Sequence, residues 1–387
     1  MSQTVGLYIH IPFCRKKCDY CDFYSLPAQD SAVWDEYCKV LTKHIRETAT
    51  SLAKHIVDTI YFGGGTPSLL GANRLRSLLD TIEKHCRISP GAEITLEGNP
   101  DSLDVKLLKK LRRAGFNRLS IGMQSFDNDT LSILGRAHDA DGAVQAMQAA
   151  RTAGFQNVSL DLLFGLPVQS QNDWVASLRA GIDLQPEHIS CYGLTREKGT
   201  PLYTSELPFP DDDMQADMYL QTSEILQQAG YHHYEISNFC RPGYECRHNM
   251  KYWTLQPYVG LGPAAHSDFG GRRWSYERDL DRYVLGINES DALIDNMEDI
   301  PPLERAGEYL MLRLRTAQGI SGNEYTRLFH HNFDSVERRL EMQLAHGLAL
   351  REGDRWRLTE KGFLLSNRVI GEVLDATDSS FEPEVLF

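Results

Sequence analysis

Short runs rich in Val, Ile, Leu, Tyr and Phe recur through the first half of the chain. They fall at residues 5–11, 58–62, 92–97, 118–123, 158–164 and 188–192, each bounded by Gly, Pro or Asn. Runs of this length and composition read as strands. Between them, residues 32–52, 73–85, 104–114, 140–153 and 173–184 carry helical patterns, and Gly115 and Gly154 stand where helix C-terminal glycines belong. Six β/α units in series predict a parallel sheet with helices outside it. Six fall short of the eight that close a barrel. The expected fold is therefore α/β, a partial (β/α)6 barrel.

The rhythm changes after a Pro-containing stretch at 201–210. A helical pattern covers 213–229, and 231–276 is rich in His, aromatics and Gly. From 279 the pattern is mostly helical. The chain then offers a helix (336–345), a hairpin (348–358) turning at Gly353-Asp354, and a second helix (360–373), the order of a winged helix. The expected division is a barrel at 1–210, a linking region at 211–278 and a mostly helical C-terminal domain at 279–387 with a winged-helix-like end. The acidic tail after Asp375 has no clear period and is expected to be poorly ordered.

Composition changes this picture little: of 387 residues, 42% are hydrophobic and 24% charged, as in ordinary globular proteins. The net charge of −13 and the acidic residues interspersed in the winged-helix-like end argue against a nucleic-acid partner. No apolar run approaches the ~18 residues of a transmembrane helix, and the first residues lack the basic start of a secretory signal. The expected location is the cytoplasm, where clustered cysteines more often mean metal than disulfides.

Polar and glycine-rich motifs follow the strands, at the end where α/β barrels place their chemistry. The strongest is Cys14-Arg-Lys-Lys-Cys18-Asp-Tyr-Cys21. Three thiolates in one short loop suit zinc or an iron–sulfur cluster. A closed zinc site needs a fourth ligand, for which His10 and Cys38 are the candidates. Three cysteines around a [4Fe–4S] cluster instead leave one iron open, able to chelate the amino and carboxylate groups of S-adenosylmethionine. Cys86 and Cys191 read as core residues. Cys240 and Cys246, six apart, are metal candidates that read more simply as loop or core cysteines.

The loop and its companions resemble the radical-SAM superfamily, in the branch of the oxygen-independent coproporphyrinogen III oxidases and their heme-chaperone paralogues. The likeness rests on Tyr8-Ile-His-Ile-Pro12 before the cysteines, Gly63-Gly-Gly-Thr-Pro67, Glu97-Gly-Asn-Pro100, Gly122-Met-Gln-Ser125, Arg136, Asp161 ahead of Gly165-Leu-Pro167, and His248-Asn-Met-Lys-Tyr-Trp253. The resemblance implies a [4Fe–4S] cluster on Cys14, Cys18 and Cys21. It implies contacts to S-adenosylmethionine from Tyr8, Tyr20, Gly64, Gly65, Thr66, Glu97, Gln124, Arg136 and Asp161. Heme contact falls to His248, Tyr252 and Trp253, with His10, His232, His233 and His266 as rival ligands.

Two departures point away from the oxidases. Those enzymes carry a fourth cysteine two places after the third, where this chain has Phe23. They also have a long N-terminal extension, whereas 13 residues precede Cys14 here. The resemblance thus implies a heme chaperone with heme-accepting apo-proteins as partners, membrane-bound acceptors approached from the periphery among them, and an electron donor if S-adenosylmethionine is cleaved. Coproporphyrinogen III oxidation is the alternative, and a radical methyltransferase that opens heme a third reading.

Overall fold

The computed structural model describes residues 4–27, 30–289 and 294–378. The six expected strands are β1 (Thr4–Ile11), β2 (Ile56–Gly64), β3 (Ile88–Gly98), β4 (Arg118–Gln124), β5 (Val158–Phe164) and β6 (His188–Gly193). All pair in parallel in chain order. The connecting helices are α1 (Ser31–Ser51), α2 (Gly71–His85), α3 (Val105–Ala114), α4 (Asn128–Ile133), α5 (Ala140–Ala153) and α6 (Gln171–Asp183). Their starts are written in the sequence. Asp104, Asp127, Asp139 and Ser170 each accept a first-turn N–H, which satisfies an otherwise orphaned donor. Gly115 and Gly154 end α3 and α5 in the left-handed conformation, as their positions predicted.

Most of the strands alternate. Leu7, Ile9, Ile11, Ile60, Phe62, Leu96, Leu119, Ile121, Leu160, Leu162 and Ile189 are buried apolar positions. The residues between them are polar: Thr59, Tyr61, Thr95, Glu97, Arg118, Ser120, Ser159, Asp161, His188 and Ser190. Parallel strands covered on both faces normally read as continuous apolar runs. Here one face is apolar and the other is a polar wall, and that wall becomes the site.

The sheet also extends past β1, which the sequence pattern did not reveal. β7 (Tyr258–Leu261) pairs in parallel with β1, and β8 (His266–Phe269), β9 (Arg272–Tyr276) and β10 (Ile294–Asp299) follow antiparallel. The order is β10-β9-β8-β7-β1-β2-β3-β4-β5-β6, an open, partial barrel. β10 is the least legible strand: its sequence Ile-Asp-Asn-Met-Glu-Asp is almost wholly exposed, so only backbone pairing reveals it. Compact units accordingly follow these contacts rather than the boundaries expected at 210 and 278. Residues 1–218, 246–248 and 257–299 group together, and residues 219–245, 249–256 and 300–387 form a second unit.

The second unit holds an antiparallel hairpin (His232–Glu235 with Asn238–Cys240) and the helices Pro302–Arg313, Gly322–Phe329, Asp334–Ala345, Glu360–Leu364 and Ser366–Asp378. Ala349–Glu352 and Arg355–Leu358 form the expected hairpin, and helices flank it in winged-helix order. The chain is helical through residue 378. From 379 onward the acidic tail lies outside the described residues.

Trp356 anchors this unit, 1% exposed in a core with Ile320, Phe333, Leu340 and Val369. Truncating a buried Trp leaves a cavity its neighbours cannot fill. Trp356→Ala is therefore expected to lower stability by about 3–5 kcal/mol, read from chemical denaturation followed by circular dichroism.

Candidate functional site

The cysteine loop follows β1 directly. Its entry is zipped to the glycine turn after β2: the Gly65 N–H donates to the Ile11 carbonyl (2.9 Å) and the Thr66 N–H to the Phe13 carbonyl (2.7 Å). Close approach is obligatory here. A Cβ on Gly64 would stand 2.5 Å from the His10 ring, at a φ of +113° that L side chains avoid, and one on Gly65 would meet the Phe13 carbonyl at 2.6 Å.

A chain of hydrogen bonds joins two of the three thiols. The Thr66 hydroxyl donates to Cys14 Sγ (3.6 Å) and accepts from Asn99 Nδ2 (3.1 Å). Asn99 Oδ1 accepts from Arg136 Nη2 (2.8 Å), which also reaches the Gly122 carbonyl (2.5 Å). Arg136 Nη1 donates to Cys18 Sγ (3.3 Å). Tyr20 hydrogen-bonds the same guanidinium, and burial pushes its hydroxyl upward. Burial raises the Cys14 and Cys21 thiols, and repulsion among the three cysteines adds to it. Thr66 and Ser25 oppose this at Cys14, as the Phe23 N–H and Lys17 do at Cys21. A cation bound at the loop would relieve both the burial and the mutual repulsion.

The donor set fits an iron–sulfur cluster. Three cysteines share the loop, and the zinc alternative loses its nearby imidazole. His10 uses both ring nitrogens, Nδ1 with the Tyr8 hydroxyl (3.1 Å) and Nε2 with the Tyr24 carbonyl (3.0 Å). Burial lowers it to about 4, so it is neutral. Among the described residues no three His, Cys, Asp or Glu side chains converge on a single-ion site. Cys191, Cys240 and Cys246 are buried, and Cys246 Sγ lies 3.8 Å from a Glu93 oxygen.

The S-adenosylmethionine residues expected from the resemblance line the polar wall. Glu97 accepts from the Tyr61 hydroxyl (2.7 Å) and from the Gly64 N–H (3.1 Å). Burial raises it to about 7, with Asp161 adding to the rise and its two donors opposing it. Asp161 accepts from Ser120 (3.1 Å) and from Ser190, and burial raises it too. Gln124 ends β4 at φ +67°, an unusual conformation for a non-glycine residue of the kind that concentrates at functional sites. A Cβ on Gly122 would meet Gln124 Nε2 at 2.9 Å and Asn99 Oδ1 at 3.1 Å. Arg136 Nε is buried without a partner among the described residues. An uncommitted guanidinium donor and a glycine-lined approach suit a zwitterion with a carboxylate.

Tyr61, Arg118 and Ser120 belong to this wall and escaped the motif reading. Arg118, 2% exposed, acts electrostatically on Tyr61, Glu97, Asp161 and His188. The signal that could have found them is the polar alternation inside otherwise apolar strands.

The heme segment is divided by burial. His248 is 1% exposed, bonded through Nδ1 to Thr59 Oγ1 (2.8 Å) and stacked on Tyr61 at 5.2 Å between centroids. Its N–H donates to Glu93 (3.0 Å). Tyr252 and Trp253, on the same short helix Arg247–Trp253, are half-buried.

Residues 8–180 match the radical SAM superfamily and residues 300–365 the HemN C-terminal domain. The heme chaperone HemW of Mycobacterium tuberculosis is 38% identical over 380 residues, 96% of this chain and 95% of that protein. The chain belongs to the HemW family. HemW of Escherichia coli K12 is 35% identical over 95% of this chain and 97% of its own length, and that of Bacillus subtilis 168 is 35% identical over 95% and 98%. The coproporphyrinogen III oxidase HemN of Escherichia coli, a radical SAM enzyme, superposes at TM-score 0.85 over 98% of this chain and 91% of its own, with 22% identity, which establishes the shared fold.

The Glu97 environment has a measurable consequence. The folded state raises its pKa from 4.5 to about 7, so the folded form binds the proton more tightly than the unfolded chain. Its contribution to stability is fully present below about pH 4.5 and is lost as pH rises through about 7. In metal-free protein, Glu97→Gln should remove part of the fall in Tm between pH 5 and 8, as differential scanning fluorimetry would show. Glu235, also raised to about 7 by burial, keeps the remaining slope.

Proposed function

We propose that this protein is a heme chaperone that holds a [4Fe–4S] cluster on Cys14, Cys18 and Cys21, binds S-adenosylmethionine, takes up heme and passes it to apo-proteins. The observation that carries this reading is end-to-end identity of 35–38% with proteins named heme chaperone HemW, against 22% with the oxidase. Phe23 at the oxidases' fourth cysteine position agrees with it.

Tyr8, Tyr20, Gly64, Gly65, Thr66, Glu97, Gln124, Arg136 and Asp161 would hold S-adenosylmethionine. The open iron supplies electron transfer to the sulfonium when both groups are bound. The chain's own residues do the positioning. Arg136 orients Asn99 and steadies the Cys18 thiolate, Glu97 fixes the Gly64 turn, and the polar wall leaves an ammonium or ribose hydroxyl a carboxylate to meet. An electron donor is needed only if S-adenosylmethionine is cleaved.

The resemblance assigns heme contact to His248, Tyr252 and Trp253. His248 is buried against Thr59 and Tyr61, so it reaches heme iron only if its helix opens. Apo-proteins of respiratory enzymes, including membrane-bound ones approached from the cytoplasmic side, are the proposed acceptors. Among the described residues no helix is long and apolar enough to cross a membrane.

The test is anaerobic. Reconstituted protein should bind hemin and transfer it to an apo-hemoprotein, and should form no protoporphyrinogen IX from coproporphyrinogen III with S-adenosylmethionine and a reductant while an authentic oxidase does. Product formation would overturn the chaperone reading. Replacing any one of Cys14, Cys18 and Cys21 by Ser should abolish the bound iron and sulfide, and normal retention would remove the cluster assignment.

A further inference from the structure

An accessible imidazole can ligate heme iron without any opening of the helix Arg247–Trp253. Among the described residues the exposed histidines are His85, His232, His266, His330 and His346. Of these, His85 and His266 belong to the same compact unit as the cysteine loop, and His266 lies in the sheet that carries the loop. It opens β8 immediately after the turn that leaves β7, and β7 runs parallel to β1 with Leu261 opposite Ile9. That turn is pressed against the loop's base: a Cβ on Gly262 would meet the His10 carbonyl at 2.8 Å.

Three further features surround this turn. Phe23 is 71% exposed, the largest exposure among the large apolar side chains described. Arg278 donates to the carbonyl of Asp22 (2.9 Å), the residue before Phe23. The same guanidinium acts electrostatically on His266, His10 and Tyr24, so one exposed cation links the cysteine loop to the β8 imidazole. Arg273 acts on His266 as well, and Lys17 on the Cys21 thiol two residues before Phe23. Of the carboxylates nearby, Asp279 and Asp281 act on Tyr24 and Asp295 on His266, while Asp268 (3.5 Å) and Glu298 (3.6 Å) pair with Arg273.

An exposed aromatic face, cations beside it and an imidazole within their field match one ligand chemistry, a planar apolar macrocycle with two carboxylates and a central iron. We propose that heme docks at the barrel mouth beside the β7–β8 turn, with its ring against Phe23, its propionates drawn to Arg278, and its iron ligated by His266. Partial burial and the two guanidiniums lower His266, which keeps the imidazole neutral and able to coordinate iron. This assignment rests on the heme-chaperone reading and names the site within it. It also places the cargo against the cluster loop rather than on the helix Arg247–Trp253.

The test is optical and magnetic. Hemin and metal-free protoporphyrin IX would each be titrated into the full-length cluster-reconstituted protein, the His266→Ala, His266→Cys and Phe23→Ala variants, and His248→Gln. His266→Ala should weaken hemin by about tenfold or more, equivalent to roughly 1.4 kcal/mol. It should change the Soret band and the electron paramagnetic resonance of the ferric iron, and leave protoporphyrin IX binding unchanged. His266→Cys should bring in the signature of thiolate ligation, which a merely structural role would not produce. Phe23→Ala should weaken both porphyrins. Unchanged hemin spectra in both His266 variants, or loss of the axial signal in His248→Gln alone, would overturn the assignment while leaving the chaperone reading intact. Failure of the unaltered protein to bind hemin would instead remove the chaperone reading itself.

Discussion

Everything at this site depends on a parallel sheet that buries a polar face. Seryl, threonyl, carboxyl and guanidinium groups on the inner side of β2 to β6 are taken from water, and each such group costs free energy unless a partner meets it. The partners come from the register. Glu97 lies opposite Ser120, Ser120 opposite Ser159 and Ser159 opposite His188. Tyr8, Tyr61, Thr95 and Arg118 form the adjoining row. The Ser159–His188 contact of 2.7 Å and the Ser120–Asp161 contact of 3.1 Å run across this wall. Slipping any strand by one residue would send the whole row to the apolar side. The chemistry and the topology therefore constrain each other.

The same wall explains why a cluster loop and a cofactor pocket can be one object. The bonds from Cys14 through Thr66 and Asn99 to Arg136 and Cys18 pass through residues contributed after β1, β2, β3 and β4. A guanidinium that touches a thiol, an amide and a backbone carbonyl at once is a rigid spacer, a role for which the single-point ammonium of Lys is unsuited. Its positive charge also lowers the Cys14 thiol, against burial and the repulsion from Cys18. The cysteine loop and the polar wall are thus held by one set of side chains, and disturbing either disturbs the other.

How much of this was legible in the sequence follows from the range of the signals. The six strands, the helix starts at Asp104, Asp139 and Ser170, and the hairpin at Gly353-Asp354 are set within a few residues, and local patterns expose them. β7 to β10 are different. β7 exists because Gly6, Leu7, Tyr8 and Ile9 have a free edge that residues 258–261 can pair with, and β10 because β9 has one. Edge completion is a long-range event with no periodicity of its own, so this region read as a linker and a helix. At the site, Glu97, Arg136 and Asp161 were readable through motif spacing. Tyr61 and Arg118 were not, since a lone polar residue in an apolar strand looks like noise until its neighbours across the sheet are known.

Exposure separates two kinds of histidine that sequence treats alike. His248 lies in a conspicuous motif, yet its ring stacks on Tyr61, which in turn donates to Glu97. A residue so placed transmits packing to the pocket: removing it would loosen Tyr61 and, through it, the carboxylate that secures the Gly64 turn. His266 lies in an inconspicuous short strand, yet it is accessible and stands in the field of two guanidiniums. The contrast extends to Phe23. A cysteine there would add a reactive thiol beside the cluster, whereas a phenyl ring adds apolar area and leaves its own N–H to the Cys21 thiol. A binding protein would gain from the second arrangement: a large planar ligand would find apolar contact area next to the cysteine loop, which keeps its three thiols.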